Sequence, residues 1–359
     1  MRKFLFNLHL YTALIASVFI IILSVTGGIM AFEQELDHVF HPKLSYVKPQ
    51  ARALSLAEIS AAVSKAFPGE RISAYSLSTA PDLSSQVSLN RGVVYLNQYT
   101  GEILGVQQGP DSIGAALNLV HQFHLRLAIR NQADTGKEII KWVGVAILFL
   151  LFTGLYLWWP VKRVTIKKVA SSRRFWFDLH NAVGIFSFVF LLALAITGTV
   201  IGFEDKTVPW FYKMTGSQPL VVYNRAAKFE VTPTADSKPI TPDQAIEIAR
   251  AALPGAAPVT VNVPGPKDAY LIRARYPEDL TPGGRSQVIV DQYSGKVLIA
   301  EGSRTAPAGS RLVTANRAIH TGDIFGLPGK TIMSLASLTL VAQMVSGVLM
   351  WRKRKRASH

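Results

Sequence analysis

The sequence predicts an α-helical membrane bundle of four transmembrane helices carrying two small α+β domains outside the membrane. The whole is an internal tandem duplication with a pseudo-twofold axis along the membrane normal. Three observations predict this: four long apolar stretches free of charge, short motifs that recur at a fixed offset, and basic residues crowded onto three short segments.

The spans come first. Leu10 to Phe32, Trp142 to Trp159, Asn181 to Phe203 and Thr331 to Trp351 each lack a charged residue and are long enough to cross a bilayer. Tryptophans at 158, 159 and 351 suit the membrane–water interface. Arg2 and Lys3 before the first run would also fit a cleaved leader. That run exceeds a signal core and no A-x-A pattern follows, so a retained span is expected. With 359 residues, 49% of them hydrophobic, the chain is too apolar for an ordinary soluble protein and too polar for spans alone. The expected order is a first span within 1–32, an outer domain over 33–137, a second span over 138–160 and a loop over 161–176. A third span over 177–203, a second outer domain over 204–327, a fourth span over 328–351 and a basic tail over 352–359 complete it.

Charge orients the spans. Arg2 and Lys3, six basic residues between Lys162 and Arg174, and five between Arg352 and Arg356 lie on one side, with only Asp178 near them. These segments hold most of the net charge of +15. Short basic loops stay inside, so both termini are expected in the cytoplasm, and the two long segments in the periplasm of a bacterial inner membrane. The same bookkeeping explains the basic balance without nucleic acid, which would need a basic face on a folded domain. The chain has no cysteine. That excludes disulfides, thiolate-held iron–sulfur clusters and covalently attached haem.

The repeat is legible in short motifs. Asn7-Leu8-His9 matches Asp178-Leu179-His180; at the same offset Val25-Thr26-Gly27 matches Ile196-Thr197-Gly198, and Phe32-Glu33 matches Phe203-Glu204. Thr153-Gly154-Leu155 before Trp158 resembles Ser346-Gly347-Val348 before Trp351. In the outer segments, an amphipathic run after Ser55 and another after Thr241 both stop at Pro-Gly. Each is followed by alternating extended stretches with a turn at Tyr99-Thr100-Gly101 or Tyr293-Ser294-Gly295. Each unit therefore reads as one helix and a small antiparallel sheet. Two spans per copy give both copies the same orientation, so equivalent residues lie at the same depth.

Ionisable groups at membrane depth point to function. His9 and His180 open the first and third spans; His124 and His320 precede the second and fourth. Two repeat-related pairs at opposite faces make a haem cage the natural reading, because imidazole ligates iron without covalent attachment. Two b-type haems are expected. Gly27, Gly28, Gly198 and Gly202 would admit close packing or a flat macrocycle. Arg126, Arg130, Arg173, Arg174 and Arg317 are candidate partners for haem propionates. His121 lies three residues before His124 and competes for the outer place. His38 and His41 read as solvated loop.

The chain resembles the PepSY-associated transmembrane family. The residues that carry the resemblance are Leu8-His9, Leu179-His180, the TGLYLWWP run at 153–160, the IHTGDIFGLPGK run at 319–330 and the two helix-plus-turn units, which are PepSY-like. The resemblance implies an inner-membrane haem protein that reduces a ferric siderophore on the periplasmic side. By position it implies His9 and His180 for the inner haem, and His124 and His320 for the outer one, with His124 favoured over His121 by the Leu-rich stretch that follows it. Some relatives carry a fused flavin and nicotinamide domain; here no G-x-G-x-x-G follows a strand, so an external cytoplasmic or membrane electron donor is implied. Two non-redox readings remain beside it. One is a membrane-anchored binding or inhibitor module. The other is a permease subunit for an iron chelate, for which residues such as Ser24 and Gln343 give little mid-span polarity.

Overall fold

A computed structural model describes residues 1–130, 134–160, 162, 164, 172–220, 229–233 and 238–356. The expected loop over 161–176 and the end of the basic tail fall largely outside them. The described chain divides into two compact units. One comprises residues 1–33, 115–210 and 315–359, the other residues 34–114 and 211–314.

The first unit is built on four helices long and apolar enough to cross a membrane: α1 (Arg2–Met30), α6 (Thr135–Trp158), α7 (Ser172–Gly202) and α11 (Gly326–Arg356). They form a ring in which α1 packs against α6 and α11, and α7 packs against the same two. Exchanging α1 with α7 and α6 with α11 leaves the ring order unchanged. Ala16, Ile20, Val143, Leu150 and Met344 fill its interior. Large apolar side chains such as Ile15 and Phe186 stay about three-quarters exposed (77% and 74%). That is unfavourable in water and appropriate in lipid. Without a hydrophobic drive between helices, close approach needs small residues and hydroxyls. At the α1–α11 contact, Ser337 Oγ donates to the Ser24 carbonyl at 3.0 Å, and Ser24 Oγ donates back to the Ser337 carbonyl.

The second unit begins with α2 (Glu33–Phe40) and α3 (Pro42–Ser45). It then has α4 (Leu56–Ala66) with β1 (Ile72–Ser76), β2 (Ser85–Leu89), β3 (Gly92–Leu96) and β4 (Ile103–Gln107). The later segment supplies α9 (Pro242–Ala252), β5 (Ala257–Asn262), β6 (Tyr270–Arg275), β7 (Ser286–Val290) and β8 (Val297–Glu301). Both helices start at a capping box. Ser55 Oγ accepts from the Glu58 amide at 3.2 Å and Thr241 Oγ1 from the Gln244 amide at 3.2 Å, while each third residue's side chain returns a bond to the cap. The turns expected at Gly101 and Gly295 form, with φ of +75° and +69° that suit glycine.

The sheet departs from expectation. The two sets of strands do not make two separate domains. They join edge to edge into one eight-stranded antiparallel sheet of order β4-β3-β2-β1-β5-β6-β7-β8, with Tyr75 opposite Val261 at the seam. The reason is the edge problem. Two four-stranded sheets would each leave an inner edge unpaired, whereas pairing β1 with β5 satisfies both. The pairing also buries Tyr75, Val87 and Val94 in one core with Val261, Ile272 and Val288 under α4 and α9. The tie is reinforced by Asp243, whose two oxygens accept the Leu56 and Ala57 amides of α4, each at 2.8 Å.

The bounds of the outer domains also shift. Residues 115–130, 134, 204–210 and 315–327 belong to the helical unit. They include the ends of α5 (Ser112–Arg126), the start of α8 (Glu204–Thr215) and the end of α10 (Ala308–Thr321).

Candidate functional site

The four singled-out histidines lie in the helical unit as two pairs. His124, in the last turn of α5, faces His320, in the last turn of α10, with ring centroids 6.4 Å apart and planes inclined at 45°. His9 of α1 and His180 of α7 line a single cavity of about 840 Å³. Helix α1 carries His9 near one end and Thr26, a contact of His124, seventeen residues later. In α7, His180 and Thr197 have the same spacing. At 1.5 Å per residue the two layers are roughly 25 Å apart, most of the thickness of a bilayer core.

Each of these four histidines is gripped the same way. His9 Nδ1 lies 2.8 Å from Thr153 Oγ1, His180 Nδ1 2.9 Å from Ser346 Oγ, His124 Nδ1 3.1 Å from Thr26 Oγ1 and His320 Nδ1 3.1 Å from Thr197 Oγ1. A glycine follows each hydroxyl residue, and at Gly27 and Gly198 it makes room for the ring. A Cβ at Gly27 or Gly198 would lie 2.9 Å from Cε1 of His124 or His320; at Gly154 it would lie 3.4 Å from Cε1 of His9, and at Gly347 3.9 Å from Cε1 of His180. Burial pushes the His124 and His320 imidazoles down to about 4, so both are neutral at pH 7.

His121 does not share this site. Its Nδ1 is 3.4 Å from Glu33 Oε2 and its side chain is partly exposed. Position therefore separates the two competitors: His124 faces the second histidine and His121 faces a carboxylate. Among the arginines, Arg173 and Arg174 border the His9–His180 cavity together with Arg2 and Lys3. Arg174 also spends its Nε on the fully buried Asp178, at 2.9 and 3.1 Å. Arg126 follows His124 by two residues and keeps a buried Nε without a hydrogen-bond partner. Arg130 and Arg317 are exposed. His41 is not a solvated loop residue. It sits between two carboxylates, Asp37 at 3.0 Å and Asp111 at 2.6 Å, with 15% of its side chain exposed.

Arg2, Lys3, Gln343, which lines the cavity and donates from Nε2 to the His180 carbonyl at 2.9 Å, and the four hydroxyl residues escaped the sequence reading as site residues. Their signal was present: a hydroxyl residue followed by glycine recurs once in each of the four charge-free runs, at 26–27, 153–154, 197–198 and 346–347.

The residues fit haem. The ring centroids of His124 and His320, 6.4 Å apart, would let both imidazoles reach one iron. Among the described residues no three of His, Asp and Glu gather as a metal cage. Paired imidazoles suit a group that brings its own equatorial nitrogens. The cavity between His9 and His180 lies within the usual range for a bound cofactor, about 300–1,000 Å³. The orphaned Arg126 Nε is a donor for a carboxylate.

Fold and site together define a multi-pass membrane protein whose helices carry paired histidines. The chain belongs to the PepSY-associated TM region family, whose model matches residues 6–354. No curated protein matches it.

Proposed function

We propose that the protein is a di-haem b membrane protein that carries electrons across a bacterial inner membrane and reduces a ferric siderophore in the periplasm, releasing iron(II). The observation that carries this reading is the placement of four histidines as two pairs at opposite ends of one bundle. The duplication, with its pseudo-twofold axis along the membrane normal, belongs to the same reading. It is supported by the ring order of the spans and by the identical grip on equivalent histidines.

His9 and His180 would hold one haem, and His124 and His320 the other. Haem supplies a one-electron carrier whose iron changes charge without moving a proton. The chain supplies the rest. Arg2, Lys3 and Arg173, which line the His9–His180 cavity, and Arg126, two residues after His124, would neutralise propionates. The apolar interior between the layers excludes water. By the positive-inside rule the basic residues near the His9–His180 cavity support a cytoplasmic position for that end and for both termini, with the two long segments in the periplasm. The donor is an external cytoplasmic or membrane reductant. One electron delivered to the chelate takes iron(III) to iron(II), whose lower charge holds hard oxygen donors less tightly.

The test is the visible spectrum of the detergent-purified full chain, air-oxidised and then dithionite-reduced, with haem quantified per chain. A low-spin b-type spectrum at about two haems per chain, reoxidised by a ferric siderophore, is expected. A colourless protein from cells with ample haem would overturn the reading in favour of a membrane-anchored binding module. The groove of about 530 Å³ beside α4, bordered by Arg52 and Arg250, would then be the first place to look for a ligand.

A further inference from the structure

The four hydroxyl residues do more than touch the histidines. A serine or threonine hydroxyl has one proton to give. Thr26 Oγ1 donates it to the Ile22 carbonyl at 2.6 Å, Thr153 Oγ1 to Phe149 at 2.7 Å, Thr197 Oγ1 to Ala193 at 2.6 Å and Ser346 Oγ to Ala342 at 2.6 Å. Each of these bonds is shorter than the corresponding contact with the imidazole. The hydroxyl proton is therefore spent on the helix's own backbone, and toward the ring the oxygen has only lone pairs to offer. In an apolar interior a nitrogen lone pair aimed at an oxygen lone pair would be repulsive and unsatisfied. The proton must therefore sit on Nδ1.

We infer that Thr26, Thr153, Thr197 and Ser346 are positioning residues that hold His124, His9, His320 and His180 in the Nδ1–H tautomer, leaving each Nε2 lone pair free. The following glycine completes the device. At Gly27 and Gly198 it leaves the space that Cε1 of His124 and His320 fills, where a Cβ would lie at 2.9 Å; at Gly154 and Gly347 a Cβ would make ordinary contact with the ring. Four helices thus hold four rings by one repeated hydroxyl contact to Nδ1. A neutral oxygen acceptor polarises the ring less than a carboxylate would. The ligands are held as neutral imidazoles rather than pushed toward imidazolate.

The tautomer does not depend on haem; its effect on an iron potential rests on the function proposed above. The experiment uses full-length protein labelled with 15N-histidine, reduced so that any haem iron is diamagnetic, and compares wild type with Thr197→Val and Thr197→Ser. Wild type should show His320 with a slowly exchanging proton on Nδ1. Thr197→Val should lose or strongly shift that signal, and Thr197→Ser should restore it. With haem bound, loss of the hydroxyl leaves only the Leu194 carbonyl to accept from the ring and makes His320 a poorer donor to iron(III). An about tenfold change in the ferric-to-ferrous affinity ratio raises the potential of that haem by about 59 mV, again reversed by serine. A wild-type His320 protonated on Nε2, or a Thr197→Val spectrum indistinguishable from wild type, overturns the inference. A haem-free wild type with the proton on Nδ1 supports it while removing the proposed function, so the two failures are separable.

Discussion

Thr197 on α7 and His320 on α10, 123 residues apart in the chain, meet at 3.1 Å, and the same contact joins Thr26 to His124. Each outer histidine is thus fixed by a span of the bundle rather than by its own helix. That arrangement brings the two rings to 6.4 Å.

Removing one ring of that pair should remove one haem. His320→Ala is expected to lower the haem content from about two per chain to about one, with the His9–His180 haem retained. Haem quantification on the purified variant measures this. Retention of both haems would show that His320 is not a ligand.

Two glycine substitutions should behave differently. In a helix interior alanine is favoured over glycine by about 0.5–1 kcal/mol. At Gly198 the new Cβ would lie 2.9 Å from His320 Cε1, whereas at Gly347 it would lie 3.9 Å from His180 Cε1. Gly198→Ala should displace the imidazole and lower outer haem occupancy. Gly347→Ala should keep full haem and unfold at the same temperature or slightly higher. Equal haem content in the two variants would argue against the glycine seat.

His41 should titrate above the ordinary histidine range. The hydrogen bond to Asp111 raises its pKa most, with Asp37 adding to it. The imidazolium is the favoured form, so the contribution to stability is complete below about pH 6.5, the unfolded value. It disappears as pH rises through the raised folded value. An NMR titration of the His41 ring checks this. Asp111→Asn should bring the midpoint back toward the ordinary value by more than Asp37→Asn does; an unshifted midpoint in wild type would contradict the contact.

Asp243→Ala should loosen the strand unit. Two α4 amides lose their acceptor, and losing a helix cap typically costs about 1 kcal/mol. Chemical denaturation followed by circular dichroism should give a lower midpoint for that unit. An unchanged midpoint would mean that water replaces the carboxylate without cost.

The four spans were legible because a long run of apolar residues without charge has few other stable fates, and a helix satisfies its backbone without partners. The repeated histidines, the capping boxes and the turns at Gly101 and Gly295 were legible for the same reason: each is a local pattern. The lysines and arginines flanking the spans declared an inner and an outer side only through the positive-inside rule, which is a statement about insertion rather than about contacts. His41 was misread because its two carboxylates come from different places. Asp37 lies one helical turn away, but Asp111 is 70 residues distant.

What the sequence by itself determined, then, is everything that a segment can satisfy alone: the spans, the short helices, the turns and the presence of one hydroxyl–glycine step in each charge-free run. The tertiary structure decided what those segments do to one another. It set His124 rather than His121 opposite His320, placed His9 and His180 on one cavity, and fused two strand sets into one sheet through Tyr75 and Val261. The physical reason is that a hydrogen bond between helices, or the pairing of two sheet edges, depends on distance in space. Residues far apart in the chain acquire that distance only once the helices and strands have packed.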